Sequence, residues 1–441
     1  SGLSLNIVSG TVTGTTTTAG TYNFQVKASN AQNWSAIKDV SLTISDYSAW
    51  NYALPFTTDY SGSPVEDWNM LVRFSEDSST GPGTSGFRYS QARPNGADLR
   101  FIDKHGAELK YEIANWNPAG ESQVWVRVPS LKSDANITAY WGNSNAGLPS
   151  FANDGSVWDG YFGVYHLEGG SANAKDSSPL KNDLPGINSP LLVPSGVTGS
   201  SYSSTTTADN GFLGNISSNV FGVEGTYSMW VNTPTNPTNW KDFFGFEYNQ
   251  DSTHYFRLQS DDASPGHVEF KADGGSKGSF TISDANDDLT GWKMLTLVIK
   301  DGYASIYVNG TLDGTTAWYF PGLDTISKVA IGRGTNDSGA NITFDEASFS
   351  TIGRSADWLL ASYNNQKPDQ GSNPYLNFGN LIGPVSLDDT SGTKIYGKKD
   401  TSIIPYTVGF SGTAGDGTFS AVGLPSGLSL NSTTGEISGS T

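Results

Sequence analysis

Chemistry in this chain would have to come from carboxylates, histidines and aromatic rings, because it contains no cysteine. That removes a disulfide framework, thiolate zinc sites and cysteine nucleophiles. The four histidines, His105, His166, His254 and His267, fall in no metal-ligand spacing, and no G-x-S-x-G elbow is present. Asp98, Asp103, Glu108 and Glu112 run through turns and strands, where turn-forming Asp and solvent-facing Glu account for them as readily as a cation site does. Asp261-Asp262 and Asp287-Asp288 are loop pairs, read as turn formers or cation contacts. The aromatic stretches carry more. Sugar rings stack on aromatic planes while nearby Asn, Asp and Gln read their hydroxyls. NWKDFFGFEYNQDSTHYF offers Trp240, Phe243, Tyr248 and Tyr255, and TTAWYFPGLD offers the adjacent Trp318 and Tyr319 in a turn-rich loop. From these we expect Trp318, Tyr319, Trp240 and Tyr255 to contact a ligand. The competing reading is that such rings fill a sandwich core or its rim.

Composition narrows the class. Charged residues are 15% of the chain, against a usual value of about 25%, and Gly, Ser, Thr and Asn take their place. This suits many short strands joined by polar turns. Aromatics at 12% argue against disorder. A net charge of −18 leaves too little clustered Lys and Arg for nucleic acid, and suits divalent cations and a life outside the cell. No run of about 18 apolar residues exists, so no membrane span is expected in this segment.

The elements that would position these groups are organised around a repeat. SGLSLNSTTGEISGST at 426–441 restates SGLSLNIVSGTVTGTT at 1–16, with nine of sixteen positions identical. The chain therefore reads as one period of a tandem array, or as a unit whose two ends complete each other. In TYNFQVKA, Tyr22, Phe24 and Val26 alternate, and in IKDVSLTIS so do Val40, Leu42 and Ile44, which predicts strands too few to bury a core alone. Residues 384–441 add SIIPYTVGF, TFSAV and LPSGLSLN. Joined through the shared motif, the ends spell LPSGLSLN, TGTTTTAGTYNFQVKASN and SLTI, which resembles the immunoglobulin-like, cadherin-like repeats of large prokaryotic surface proteins. The resemblance implies a split β-sandwich, its C-terminal half at 1–46 and its N-terminal half at 384–441.

Residues 47–152 contain WNMLVRF, ADLRFIDKHGAELKYEIANWNPAGESQVWVRVPSL and ITAYWGNSNA, in which Val124, Val126 and Val128 alternate as in a strand. They resemble a domain of unknown function that commonly precedes laminin-G-like domains. Residues 153–372 open on GVYHLEGG and KDSSPLKND, run through GTYSMWVNT and GWKMLTLVIKDGYASIYVNGTLDG, and close on ITFDEASFS and ADWLLASYNNQ. They resemble the laminin-G/concanavalin-like jelly roll. Asp301-Gly302 marks a hairpin, and ADWLLASYNNQ a short helix with Ser355 as N-cap, Asp357 in the first turn and Pro368 as its stop. NPYLNFGNLIG at 373–383 is a short connection, apolar enough to dock rather than swing free.

The concanavalin-like resemblance implies a structural calcium ion. Asp345, at the matching place in FDEASFS, is its expected ligand, with Glu168 and Asp176 as the local partners. Hydrolases of this fold carry closely spaced carboxylates on one strand, a pattern not found here, so no catalytic residue and no enzyme activity are expected. The expectation is an all-β chain of sandwiches serving as a repeat unit of an extracellular cell-surface adhesin that binds a glycan or protein. Its alternative is a structural filament subunit, with neighbouring repeat units or identical chains as partners through complementary half-modules.

Overall fold

In this computed structural model, residues 46–76, 86–170, 172–205, 210–221, 224–237, 240–248, 254–260, 266–272, 279–281, 288–318, 325–335, 341–368 and 375–383 are described. Towards the two ends the described residues are 3–6, 12–14, 19–29, 35–44, 386–387, 406–407, 410–411, 421, 424, 426–434 and 436–440. The chain is all-β with the single helix Ala356–Gln366 among these residues.

The largest unit is a sandwich of two antiparallel eight-stranded sheets. One sheet is centred on Ile342–Ser350, Gly225–Thr233 and Gly291–Lys300, and the other on Thr325–Ile331, Asp242–Tyr248 and Tyr255–Ser260. Their inner faces follow from alternation: Phe256 and Leu258 point inward on one strand, Tyr227, Met229 and Val231 on another, and all are buried. The hairpin read from Asp301-Gly302 pairs Leu295 with Val308 and Lys300 with Tyr303. Both turn residues take positive φ, 52° and 77°, as a tight two-residue hairpin requires.

The second unit packs a four-stranded sheet, in the order Leu376–Phe378, Tyr52–Thr58, Asn136–Trp141 and Arg100–Asp103, against a three-stranded one of Val65–Ser75, Glu121–Leu131 and Tyr111–Asn115. Trp68, Trp141, Tyr111, Phe74, Phe87 and Phe101 fill the space between them.

The packing divides the chain differently from the boundaries expected at 152, 372 and 383. The helix Ala356–Gln366 is capped by Ser355, whose hydroxyl accepts from the Trp358 N–H at 3.3 Å. Yet it buries Trp358, Leu359 and Ala361 in the core of the second unit. The stretch expected as a connection supplies the strand Leu376–Phe378 to that unit's sheet, opposite Phe56–Thr58. Its apolar side chains have nowhere else to be buried, so the jelly roll sits in sequence between parts of the domain it leans on.

Asn365, in the last turn of the helix, ties that helix to the edge strand of the second unit. Its Oδ1 accepts the Leu71 N–H at 2.7 Å and its Nδ2 donates to the Leu71 carbonyl at 3.0 Å, completing the free edge of Val65–Ser75 as a further strand would. Arg73 donates to the carbonyls of Asn365 and Gln366, at 3.1 and 2.7 Å, and so caps the helix end.

At the two ends of the chain, the repeated motif forms the same hairpin twice. Leu3 faces Gly14 and Leu5 faces Val12; Leu428 faces Gly439 and Leu430 faces Ile437. The second copy gains a third strand, Tyr406–Thr407, along its Glu436–Ile437 edge. The long ribbon pairs Tyr22 with Leu42 and Phe24 with Val40, and leaves Tyr22 40% exposed.

Candidate functional site

Two places gather the residues singled out by the sequence. The first is the outward face of the sheet carrying Asp242–Tyr248, Tyr255–Ser260 and Val268–Ala272. Because Phe256, Leu258, Val268 and Phe270 turn inward, Tyr255, Arg257, Gln259, Glu269 and Lys271 must turn outward. Register sets Arg257 opposite Lys271 and Gln259 opposite Glu269. The Arg257 guanidinium lies 4.7 Å over the Tyr255 ring, and the Lys271 ammonium 5.4 Å over the Trp240 ring. The result is a continuous row of ring, cation, cation and ring.

The row is held from beneath. Arg257 Nη1 donates to Asp242 at 3.0 Å, Gln259 Nε2 to Glu269 at 2.7 Å, and Lys328 pairs with Glu247 at 2.6 Å. Trp240 has φ 47°, a strained backbone for an aromatic residue, and is 51% exposed. Among the described residues no carboxylate lies within ion-pair distance of Lys271. What this face presents to solvent is the Trp240 ring, with Lys271 and Tyr255 half-buried beside it; Arg257, Gln259 and Glu269 are buried, and the carboxylates of Asp242, Glu247 and Glu269 are engaged with a cation or an amide.

The second place is a buried acidic node where the two units meet. Asp345 is fully buried, and its Oδ2 accepts the N–H groups of Val197 and Thr198 at 2.7 and 3.0 Å. Glu346 accepts the Thr198 hydroxyl at 2.6 Å and lies 2.8 Å from His166 Nδ1. His166 continues to Glu112 of the other unit at 3.5 Å, and Glu112 accepts from Trp158 Nε1 and Ser177 Oγ.

Charge crowding shows in the acidities. Burial, and then the Glu346 charge, raise the Asp345 carboxyl well above the usual carboxylate range. Burial pushes Glu168 up to about 7. Burial works against the His166 imidazolium, but Glu346 and Glu112 outweigh it and hold its pKa well above the ordinary value.

For calcium the three expected ligands behave differently. Glu168 Oε2 accepts from Ser200 N and Oγ, both at 3.2 Å, while its buried Oε1 has no hydrogen-bond partner. A Cβ at Gly199 would collide with Glu168 Oε1, and one at Gly196 with Asp345 Oδ2, so the 196–199 loop is a close-fitting cradle around both carboxylates. The orphaned buried oxygen makes Glu168 the residue that fits a hard cation, whereas both oxygens of Asp345 already accept N–H groups, Oδ2 from Val197 and Thr198 and Oδ1 from Glu346.

Asp176 does not fit. Its oxygens accept from Val164 N, Ser178 N, Ser178 Oγ and Asn182 N, so it organises its own loop. Among the described residues no three His, Asp or Glu side chains converge as a metal-holding group. Most of calcium's six to eight oxygens would therefore have to be backbone carbonyls or water.

The aromatic expectations also separate. Trp240 and Tyr255 share the outward row. Trp318 does not join it: the side chain is 4% exposed and packs edge-on against Phe270, 5.1 Å between centroids, inside the sandwich. Tyr319 lies outside the described residues, as do Asp261, Asp262 and Asp287. Phe243 and Tyr248 are buried. In the second unit Asp98 accepts from the N–H groups of Arg93, Gly142 and Asn143, and Asp103 from those of His105 and Ala107. Those two are turn-formers.

Sequence reading missed Arg257 and Lys271, although alternation in YFRLQS and VEFKA assigns both to the non-core face. It also missed the Glu112–His166–Glu346 link, which no spacing could reveal because it joins residues 54 to 234 positions apart.

Comparison with known proteins matches three segments of the chain, whose limits cross those of the packed units. Residues 200–359 match the family model described as the Concanavalin A-like lectin/glucanases superfamily, 95–178 a domain of unknown function (DUF2341), and 1–45 the family described as "Putative Ig domain". No curated protein matches the chain. Solved structures similar to it include a Trypanosoma rangeli sialidase in complex with 2,3-difluorosialic acid, at 14% identity and TM-score 0.37, covering 60% of this chain and 44% of that one. The binding domain of Paraclostridial Mosquitocidal Protein 1 aligns at 16% identity and TM-score 0.37, covering 47% and 52%. Domain 4 of AbnA, an extracellular arabinanase of Geobacillus stearothermophilus, in complex with arabinotriose, aligns at 18% and 0.36, covering 45% and 96%. The chain thus spans about half or less of the sialidase and toxin chains it resembles. It carries, in order, an Ig-like segment, a segment of the domain of unknown function and a laminin-G/concanavalin-like domain.

Proposed function

We propose that this chain is a repeat unit of an extracellular surface adhesin, and that its concanavalin-like domain binds a glycan along the row Trp240, Lys271, Arg257 and Tyr255. The observation that carries the reading is Trp240. A half-exposed indole on a strained backbone, beside a cation and a row of fixed hydrogen-bonding groups, is shaped to stack on a sugar ring. The site is read as binding only: among the described residues its carboxylates are held by Arg257, Gln259 and Lys328, with no acid–base pair left facing a bound sugar. A structural calcium ion would be held at Glu168, beside the 196–199 loop.

The test is a glycan array probed with the 441-residue chain and with Trp240→Ala, each with calcium and with chelator. Binding that the substitution abolishes, with the fold intact, is the expected result. An array that stays blank with and without calcium sinks the adhesin reading. A second reading, a filament subunit joined through half-modules, draws on the duplicated hairpin and, among the described residues, the extra strand Tyr406–Thr407 beside its second copy. A chain that ignores glycans but grows with concentration in light scattering would favour it.

A further inference from the structure

The chain enters and leaves the two-domain body at one point. Ala53 N donates to the Ile382 carbonyl and Ile382 N to the Ala53 carbonyl, both at 2.8 Å. From there inward the two stretches run antiparallel as neighbours. Gly379 N donates to Pro55 O, Thr57 faces Asn377, Thr58 faces Leu376, and Asp59 N donates to Tyr375 O. Gly383 lies so close to the Tyr52 ring that a Cβ there would sit 2.9 Å from it.

The incoming side is pinned just upstream. Tyr47 stacks on Tyr140 at 4.9 Å, and Trp50 Nε1 donates to the Asp98 carbonyl at 2.7 Å. The intervening residues, from 53 to 382, make a closed excursion that returns to where it began. Close by on either side lie the flanks, the ribbon strand Ser35–Ile44 and the strand Ser386–Leu387, and the repeated hairpin forms in both flanks in one register.

We propose that residues 47–383 form a side-hung head closed at its base by a clasp, the strand Leu376–Phe378 and residues 379–382 zipped onto the strand Tyr52–Thr58. In a chain carrying successive copies, the Ig-like modules then follow one another as a shaft, and each head hangs beside it instead of standing in line. The geometry also fixes how the head takes load. A pull through the two flanks meets the Tyr47 and Trp50 contacts on the incoming side and Ile382 on the outgoing side, and it opens the paired backbones from Ala53–Ile382 inward one hydrogen bond at a time. It does not shear them all at once. Leu376–Phe378 is the outermost strand of its sheet, with Tyr52–Thr58 as its neighbour, so the clasp yields before either core. Freed to Leu376, the outgoing stretch contributes about 3 nm of extension at roughly 3.6 Å per residue.

The experiment is single-molecule force spectroscopy on the 441-residue chain with handles at its two ends, comparing the unmodified protein with A53C/I382C. The native chain has no cysteine, so the new pair has no competitor. Mutually hydrogen-bonded antiparallel residues stand about 5.5 Å apart at Cα, inside the range a disulfide spans. Mild oxidation of the folded variant is expected to close the bond. The oxidised trace should then lose the whole extension of residues 53–382, about 110–120 nm at roughly 3.3–3.6 Å per residue, and reduction should restore it. The unmodified chain, which also serves if the paired substitution disturbs folding, should show a short first opening of about 3 nm or less at low force before the large releases. Two thiols that stay free in the folded variant would overturn the side-by-side arrangement. A head that opens only in one full-length step, with no short precursor, would overturn the clasp.

Discussion

Replacing Asn365 with Ala should uncouple the helix Ala356–Gln366 from the edge strand Val65–Ser75 at one defined point. Asn365 is 1% exposed, and its side chain satisfies both backbone groups of Leu71, itself 1% exposed. Alanine removes both partners without admitting water, so a buried N–H and a buried carbonyl are left unpaired. Each costs about 1–3 kcal/mol, and the pair about 2–6 kcal/mol, a large part of the 5–15 kcal/mol that typically holds a domain together. The direct readout is hydrogen exchange at the Leu71 amide. A local loss of 2 kcal/mol should speed exchange there roughly 30-fold, with a lowered denaturant midpoint for the unit around Trp68. Asn365→Asp sharpens the test. It keeps an acceptor for the Leu71 N–H but sets an oxygen against the Leu71 carbonyl, so the amide should stay more protected than in the alanine variant while stability still falls. Unchanged Leu71 protection in Asn365→Ala would refute the reasoning, because it would mean that something other than this side chain completes the strand edge.

Two further outcomes follow from the sites. Arg257→Ala removes the cation 3.0 Å from the fully buried Asp242 carboxylate. It should cost about 3–5 kcal/mol in denaturant unfolding, and much of that should return in Arg257→Met/Asp242→Leu. Gly199→Ala should destabilise the 196–199 loop by roughly 1–2 kcal/mol from its left-handed backbone alone, φ 48°. The collision with Glu168 adds to this, so thermal denaturation of Gly199→Ala/Glu168→Ala should recover part of the loss and not all of it.

What the sequence made legible was local. The Asp301-Gly302 hairpin and the Ser355-capped helix each depend on residues within a few positions of one another and form as expected, and the repeated motif folds the same way in both copies. Asp176, expected beside a cation, instead organises its own turn, and the local signature Asp176-Ser177-Ser178-Pro179 that accounts for its carboxylate went unread. The sorting of Trp240 from Trp318 was not local. Both indoles sit next to turn-rich sequence, and only strand register, which sets Lys271 beside one and Phe270 against the other, exposes the first and buries the second.

Asn365 makes the same point about domain boundaries. A polar residue near the end of a short helix reads as solvent-facing, yet it meets a strand edge 294 residues away, and that edge decides which unit the helix joins. The apolar residues of 373–383 signalled docking but not the surface they would dock on. That surface, Tyr52–Thr58, is the strand on which the chain first enters the body. Pairing the outgoing stretch with the incoming one turns a connection into a clasp, and changes the expected array from beads in line to heads beside a shaft.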